Sequence, residues 1–369
     1  MNAPLTPDRD HILAALDKVI DPRTGRGLVA AGLVQGLMIG EGRAGFMLEV
    51  ASEDAARYAP TRDAAERALK AVPGVVKAQV VLTAASRAPG PGVTRVRKGA
   101  RVADDPRTDP AGKPPPTAFE HVRRVIAVVS GKGGVGKSTV AVNLACAFAG
   151  MGLRAGLLDC DIYGPSIPRM MGVDSEPAFE DGKLTPLVAH GLKLMSIGFI
   201  VDEGRAMIWR GPMATSAVRQ MIKDVRWGGP GDELDILVVD MPPGTGDIQL
   251  TLFHDFKIDG AVIVSTPQEI ALIDARRAAA MLEKLGTPIL GVVENMAYFP
   301  DPTTGAPIPI FGSGGARDEA ARLGVPLLAE IPIDIALRQG GDEGRPVVVG
   351  DPDGAVAKAF AAAARALAG

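Results

Sequence analysis

Residues 124–139 read R-V-I-A-V-V-S-G-K-G-G-V-G-K-S-T, and the fold follows from how that stretch divides. Val125–Val129 is a short apolar, β-branched run of the kind that makes a strand buried on both faces. Gly131 to Ser138 then fit G-x-x-x-x-G-K-[ST], a phosphate-binding loop, and residues 139–149 continue as an apolar segment compatible with a helix. The chemistry needs that order. Glycines let backbone N–H groups converge on phosphate oxygens, and the N-terminus of the following helix adds positive potential. The residues expected to hold nucleotide are Gly131, Lys132, Gly133, Gly134, Val135, Gly136, Lys137, Ser138 and Thr139. Lys137 reaches the β- and γ-phosphates, and the Ser138 hydroxyl holds Mg²⁺.

Outward from this loop, the chain of 369 residues has room for about two domains. At 47% hydrophobic and 22% charged it has the composition of a globular protein, with only 4% aromatics. Its core must therefore be built from aliphatic side chains. The net charge of −3 argues against a general nucleic-acid coat or a membrane-binding surface. Two cysteines are too few for a disulfide framework and suit a reducing cytoplasm. Asp8, Arg9 and Asp10 stand where a signal peptide needs its apolar core, so a cytoplasmic protein is expected.

Residues 1–84 read as a small α-β-β-α-β domain. Ile12, Leu16, Val19 and Ile20 share one helical face, and Asp21-Pro22 stops that helix. Strands are expected at 33–39 and 46–51, a helix at 62–71 and a last strand at 75–82. Residues 85–121 read as a linker: 87–116 alone hold seven prolines, seven Lys/Arg and three Asp, without amphipathic period. Residues 122–369 alternate apolar strands with helix-length segments, the pattern of a doubly wound, mainly parallel α/β sheet. In such sheets ligands sit outside the carboxyl ends of the strands.

Two strand ends there carry carboxylates. Residues 157–161 read L-L-D-C-D, and Asp161 is placed to orient or deprotonate an attacking water; capping of the following turn is the plainer alternative for either aspartate. Residues 236–240 read I-L-V-V-D, a Walker B pattern in which Asp240 holds Mg²⁺ largely through water. M-P-P-G-T-G-D follows at 241–247, a Pro/Gly segment suited to move with the γ-phosphate. Lys132 is a second lysine that an ordinary phosphate loop does not need. By itself it is either a solvated charge or a group that crosses to another subunit's nucleotide.

The run G-K-G-G-V-G-K-S-T at 131–139 resembles the deviant Walker A of the MinD/ParA/nitrogenase-iron-protein class. L-L-D-C-D-I-Y-G-P-S-I-P-R-M-M-G at 157–172, D-M-P-P-G-T-G-D at 240–247, G-V-V-E-N-M-A-Y at 291–298 and residues 331–346 resemble the Mrp/ApbC branch, ATP-binding iron–sulfur cluster carriers. The N-terminal unit, with V-I-D-P at 19–22 and V-P-G-V at 72–75, is similar to a small domain of iron–sulfur assembly factors. The resemblance implies a homodimeric ATPase using ATP and Mg²⁺, with Lys132 acting in trans, Asp161 in switch I and 240–247 as switch II. It further implies Asn295 against adenine, a loop containing Pro332 closing over the base, and iron–sulfur apoproteins or assembly factors as partners. Much of the family carries a C-x-x-C before a Phe-Gly segment, shared between subunits to hold a [4Fe-4S] cluster. Here residues 299–311 read F-P-D-P-T-T-G-A-P-I-P-I-F, and 51–62 also lack the cysteine common in the small domain. Cys146 reads as a buried small hydrophobe, leaving Cys160 as the weak candidate ligand. Three functions follow: an ATP-dependent cluster carrier, an ATP-switched scaffold that carries no cluster itself, or a MinD/ParA-like positioning ATPase.

Overall fold

The computed structural model describes residues 7–40, 42–51, 55–85, 116–180, 182–200 and 211–369. It divides into two compact units, 1–111 and 112–369. Most of the expected linker lies outside the described residues. Its last stretch, however, belongs to the second unit. The Thr117 N–H donates to the Asp255 carbonyl at 2.8 Å, the Thr117 carbonyl accepts from Lys257, and the Phe119 ring packs on Phe256 at 5.6 Å between centroids. These contacts tie 117–119 to the second unit, ahead of the expected boundary at 122.

The first unit contains α1 (Arg9–Asp17), β1 (Val34–Gly40), β2 (Arg43–Ala51), α2 (Ala55–Lys70) and β3 (Lys77–Ala85). Its sheet runs β1-β2-β3, antiparallel then parallel. Ile12, Leu16, Phe46, Leu48 and Leu69 are buried together. α1 stops at Asp17, three residues short of the expected end. The Asp17 carboxylate accepts from the Ala30 N–H at 2.9 Å, and the Leu28 N–H donates to the Val19 carbonyl at 3.0 Å. A returning loop thus claims the backbone that the helix would have used, and Ile20 is left exposed. α2 begins earlier than expected and contains Pro60 near its start. Asp21, read only as a helix stop, is buried and accepts from the Thr24 and Arg23 N–H groups and the Thr24 and Tyr58 hydroxyls. Burial alone would raise its carboxyl; these donors outweigh it and hold the group below the usual range.

The second unit contains β4 (Val125–Val129), α3 (Lys137–Gly150), β5 (Ala155–Asp159), α4 (Ile167–Met171), a small hairpin of β6 (Phe179–Glu180) and β7 (Lys183–Leu184), then β8 (Leu187–Ala189) and β9 (Leu192–Ser196). Next come α5 (Gly211–Asp224), β10 (Ile236–Asp240), α6 (Asp247–Asp255), β11 (Gly260–Ser265), α7 (Glu269–Lys284) and β12 (Ile289–Asn295). β13 (Phe299–Pro300) pairs with β14 (Pro307–Ile308), and α8 (Gly315–Leu323), β15 (Leu327–Ile331), α9 (Ile335–Asp342), α10 (Val347–Gly350) and α11 (Ala355–Ala368) complete it. The eight-stranded sheet has the order β15-β12-β11-β4-β10-β5-β9-β8, parallel throughout except for β8 at one edge. This is the doubly wound, mainly parallel sheet that the alternation of strands and helices implies. The short α4, α9 and α10 and the antiparallel β8 are elements that the apolar pattern did not reveal, and α6 replaces part of the expected mobile segment.

β4 is central, and its side chains alternate between two cores, as a strand's period of two requires. Ile126 and Val128 join the layer of α3 and α11, while Val125, Ala127 and Val129 join that of α5, α6 and α7. Both faces are covered, so a continuous apolar run is stable here. Phe360 of α11 is wholly buried beneath this sheet. Phe360→Ala should destabilise the second unit by about 3–5 kcal/mol, because little can collapse into the space left. Urea denaturation followed by circular dichroism measures it, and a loss below about 1 kcal/mol would contradict this packing.

Candidate functional site

The loop from Ser130 to Gly136 leaves the carboxyl end of β4 and turns directly into α3. Two glycines are required by close approach. A Cβ on Gly131 would lie 2.1 Å from the Asp274 backbone of α7, and one on Gly136, at φ +82°, would lie 2.0 Å from the Asn295 amide nitrogen. That nitrogen donates to the Val135 carbonyl at 2.9 Å. Asn295 thus braces the phosphate loop from beneath, a role not foreseen from its expected adenine contact. Pro332 lies buried in the strand exit beside it: the Ile331 carbonyl accepts from Ala297, and the Ile333 N–H donates to Tyr298 at 2.7 Å. The two residues expected on the base side are therefore on adjoining segments.

The polar centre is assembled by three strands. Lys137 is buried and its ammonium donates to Asp240 Oδ1 at 2.6 Å, with Asp161 Oδ2 at 3.9 Å. The Ser138 hydroxyl donates to Asp240 Oδ2, also at 2.6 Å. Register places Asp159 of β5 directly beside Asp240 of β10. Asp159 is wholly buried and accepts from the Asp161 N–H and the Ser196 hydroxyl, each at 2.9 Å. Burial, then the neighbouring Asp240 charge, pushes the Asp159 carboxyl up to about 7. Burial likewise raises Asp161, with Lys137 opposing it. Asp161 Oδ1 is buried without a hydrogen-bond partner.

Three carboxylates around one ammonium leave excess negative charge in a dry site. That surplus, the orphaned Asp161 Oδ1 and the Ser138–Asp240 pair suit a hard divalent cation with oxygen ligands, as Mg²⁺ is. The cavity beside them measures about 290 Å³ and is lined by the phosphate loop together with Asp161, Ser166, Met170 and Pro243. Lys132 stands at its wall, and among the described residues its ammonium has no recorded hydrogen-bond or ion-pair partner, whereas Lys137 has three. Residues 241–244 are held against the loop: Met241 N–H donates to the Val128 carbonyl and Gly244 N–H to that of Ser130, while the buried Gln249 amide donates to the Pro242 carbonyl. Sequence reading gave Asp159 no role of its own beside Asp161 and did not single out Gln249 or Met170. Asp159 was visible as the first aspartate of L-L-D-C-D, but its pairing with Asp240 is a fact of strand register.

The cysteines do not join this site chemically. Cys160 is wholly buried in the apolar core on the α5–α7 face of the sheet, its thiol raised well above the ordinary range by burial and then by Asp159 and Asp240. Cys146 is buried in α3, pushed up to about 12. A buried thiol that resists ionisation is a poor cluster ligand, which keeps Cys160 a weak candidate. Among the described residues no group of three or more His, Cys, Asp or Glu is arranged to hold a metal ion by side chains alone.

A Gly-rich loop between the central parallel strand and its helix, with a Walker B aspartate on the next strand, defines a P-loop NTPase. Residues 121–368 match the family model described as ParA: NUBPL iron-transfer P-loop NTPase, and the chain belongs to that family. Residues 9–80 match the model for an iron–sulfur cluster assembly protein. The chain is 41% identical to the iron–sulfur cluster carrier protein of Synechocystis over 98% of its own length and 97% of that protein's. It is 42% identical to the protein of the same name from Deinococcus radiodurans, over 98% and 95%. Among solved structures, a nucleotide-binding protein of Archaeoglobus fulgidus in complex with ADP is 40% identical, with TM-score 0.57, over 66% of this chain and 93% of that one.

The Asp159 environment has a measurable consequence. Its folded pKa of about 7 lies above the unfolded value of 3.8, so the folded state binds more protons between those values and loses stability as pH rises through that window. Asp159→Asn abolishes this titration. Its stability relative to the wild type should therefore be higher at pH 8 than at pH 5 in parallel urea melts. An equal difference at both pH values would contradict the assignment.

Proposed function

We propose that the chain is an ATP-hydrolysing homodimer that acts in iron–sulfur cluster transfer. The observation that carries the dimeric reading is Lys132, an ammonium at the cavity wall with no hydrogen-bond or ion-pair partner among the described residues, five positions before the lysine that serves the phosphates in cis. Backbone N–H groups of 131–138 receive the phosphates, Lys137 exchanges Asp240 for the β- and γ-phosphate oxygens, and Ser138 with Asp240 holds Mg²⁺. Mg²⁺ neutralises charge on those oxygens when bound. Asp161 Oδ1, free to accept, orients the attacking water and withdraws its proton. Lys132 contacts the nucleotide of the second subunit, stabilising charge that develops in the transition state. Asn295 and Pro332 flank the base.

Apolar side chains left exposed support a face-to-face dimer. Tyr163 follows β5, Leu250 lies in α6 after β10, Ile270 in α7 after β11, Ile310 after β12 and Ile335 after β15. Each follows the carboxyl end of a parallel strand in chain order, and exposed apolar side chains favour a partner surface.

The role in cluster transfer rests on the relatives' names and the family matches. A second reading, a scaffold that carries no cluster, is favoured by the burial of both thiols. Anaerobic reconstitution distinguishes them. A cluster absorbance band with stoichiometric iron and sulfide, removable by an apoprotein, supports the carrier; absence of iron leaves the scaffold.

For hydrolysis, Lys137→Ala should weaken ATP binding tenfold or more. Lys132→Ala should retain binding but lose at least tenfold in kcat. Wild-type turnover by Lys132→Ala would overturn the in-trans role. Mixing Lys132→Ala with Asp161→Ala subunits should restore part of the rate, since a heterodimer then has one intact site.

A further inference from the structure

The β8–β9 hairpin turns through His190 and Gly191, both at positive φ (+50° and +77°), between the paired residues Ala189 and Leu192. Two consecutive residues of that kind match a type I′ turn, but the first position usually takes Asn, Asp or Gly, and a histidine there bears conformational cost. The half-buried imidazole at the tip does one thing. Its Nε2 lies 3.2 Å from the Met171 carbonyl and 3.0 Å from the Gly344 carbonyl. Carbonyl oxygens only accept, so Nε2 carries the proton and shares it between them.

Those carbonyls belong to segments far apart in sequence. Met171 closes α4, the short helix that follows Asp161 and whose neighbour Ser166 and own Met170 line the nucleotide cavity. Gly344 lies in the turn between α9 and α10, and α9 is capped by Asp334 two residues after Pro332. At the junction a Cβ on Gly344 would lie 2.3 Å from Gly172 Cα, and one on Gly172 would lie 2.9 Å from the Gly344 carbonyl. Two backbones touch with no side chain between them, and one imidazole ties them together.

We propose that His190 is a positioning residue for the nucleotide site: it clamps α4, whose Met170 lines the cavity, to the turn after α9, so that α4 keeps its place at the cavity wall. This deepens the ATPase reading and rests on it for the identity of the ligand. His190 touches no reacting atom. Its loss should therefore loosen binding and leave the chemical step largely alone.

The test compares His190→Ala with His190→Gln in the full chain, because a glutamine amide can place a donor near the position of Nε2. Binding of a fluorescent ATP analogue and steady-state hydrolysis are measured together with amide hydrogen exchange of 167–172 and 345–350 without nucleotide. His190→Ala should raise the dissociation constant and KM about three- to tenfold with kcat changed less than twofold, and both segments should exchange faster. His190→Gln should recover most of each. Wild-type affinity in His190→Ala, or a glutamine variant as weak as the alanine one, would overturn the proposal. A merely structural role would lower the melting temperature without raising KM. If the wild type itself binds no ATP analogue, the ATPase reading falls; unchanged exchange in His190→Ala then still overturns the clamp, and faster exchange restored by glutamine still supports it.

Discussion

The structure depends on how one buried ammonium is set among three carboxylates, two of them wholly buried. Lys137 bonds to Asp240 and lies near Asp161, while Asp159 sits beside Asp240 on the neighbouring strand. So much charge can be buried only because each group is held: Asp240 by Lys137 and Ser138, and Asp159 by Ser196 and the Asp161 backbone. Asp159 is pushed up towards neutrality as a further accommodation. Asp161 keeps a buried oxygen without a hydrogen-bond partner.

This arrangement needs a rigid frame, and β4 supplies it. Because its alternate side chains feed two separate cores, the loop at its end is anchored from both faces of the sheet. α7 presses on Gly131 and Asn295 on Gly136, so the loop is confined on both flanks as well. Backbone N–H groups aimed at a phosphate work only if they need no reorganisation when it arrives. The same reasoning applies to α4, whose Met170 lines the cavity and whose end meets the α9–α10 turn at Gly172 and Gly344.

The burial of both cysteines separates two properties that the family's description joins. The nucleotide site is complete in its cis residues, whereas the thiols are committed to packing, where thiolate formation is disfavoured. The phosphate loop and its carboxylates thus stand apart from the two buried thiols.

The strands, the phosphate loop and the Walker B aspartate were legible in sequence because each is a local pattern: apolar runs of strand length, fixed Gly and Lys spacing, and a carboxylate ending an apolar run. Local reading failed where a distant segment took over. α1 ended early because the loop at Val19–Ala30 claimed its backbone, and 117–121 joined the second unit through Asp255 and Phe256. The brace from Asn295 to Val135, the adjacency of Asp159 and Asp240, and the His190 junction join residues dozens to more than a hundred positions apart. The sequence by itself determined which chemical groups this protein brings to a phosphate, because motif spacing is a property of the contiguous chain. Only the tertiary structure decided how those groups are charged, braced and buried, because strand register and burial arise when distant segments meet.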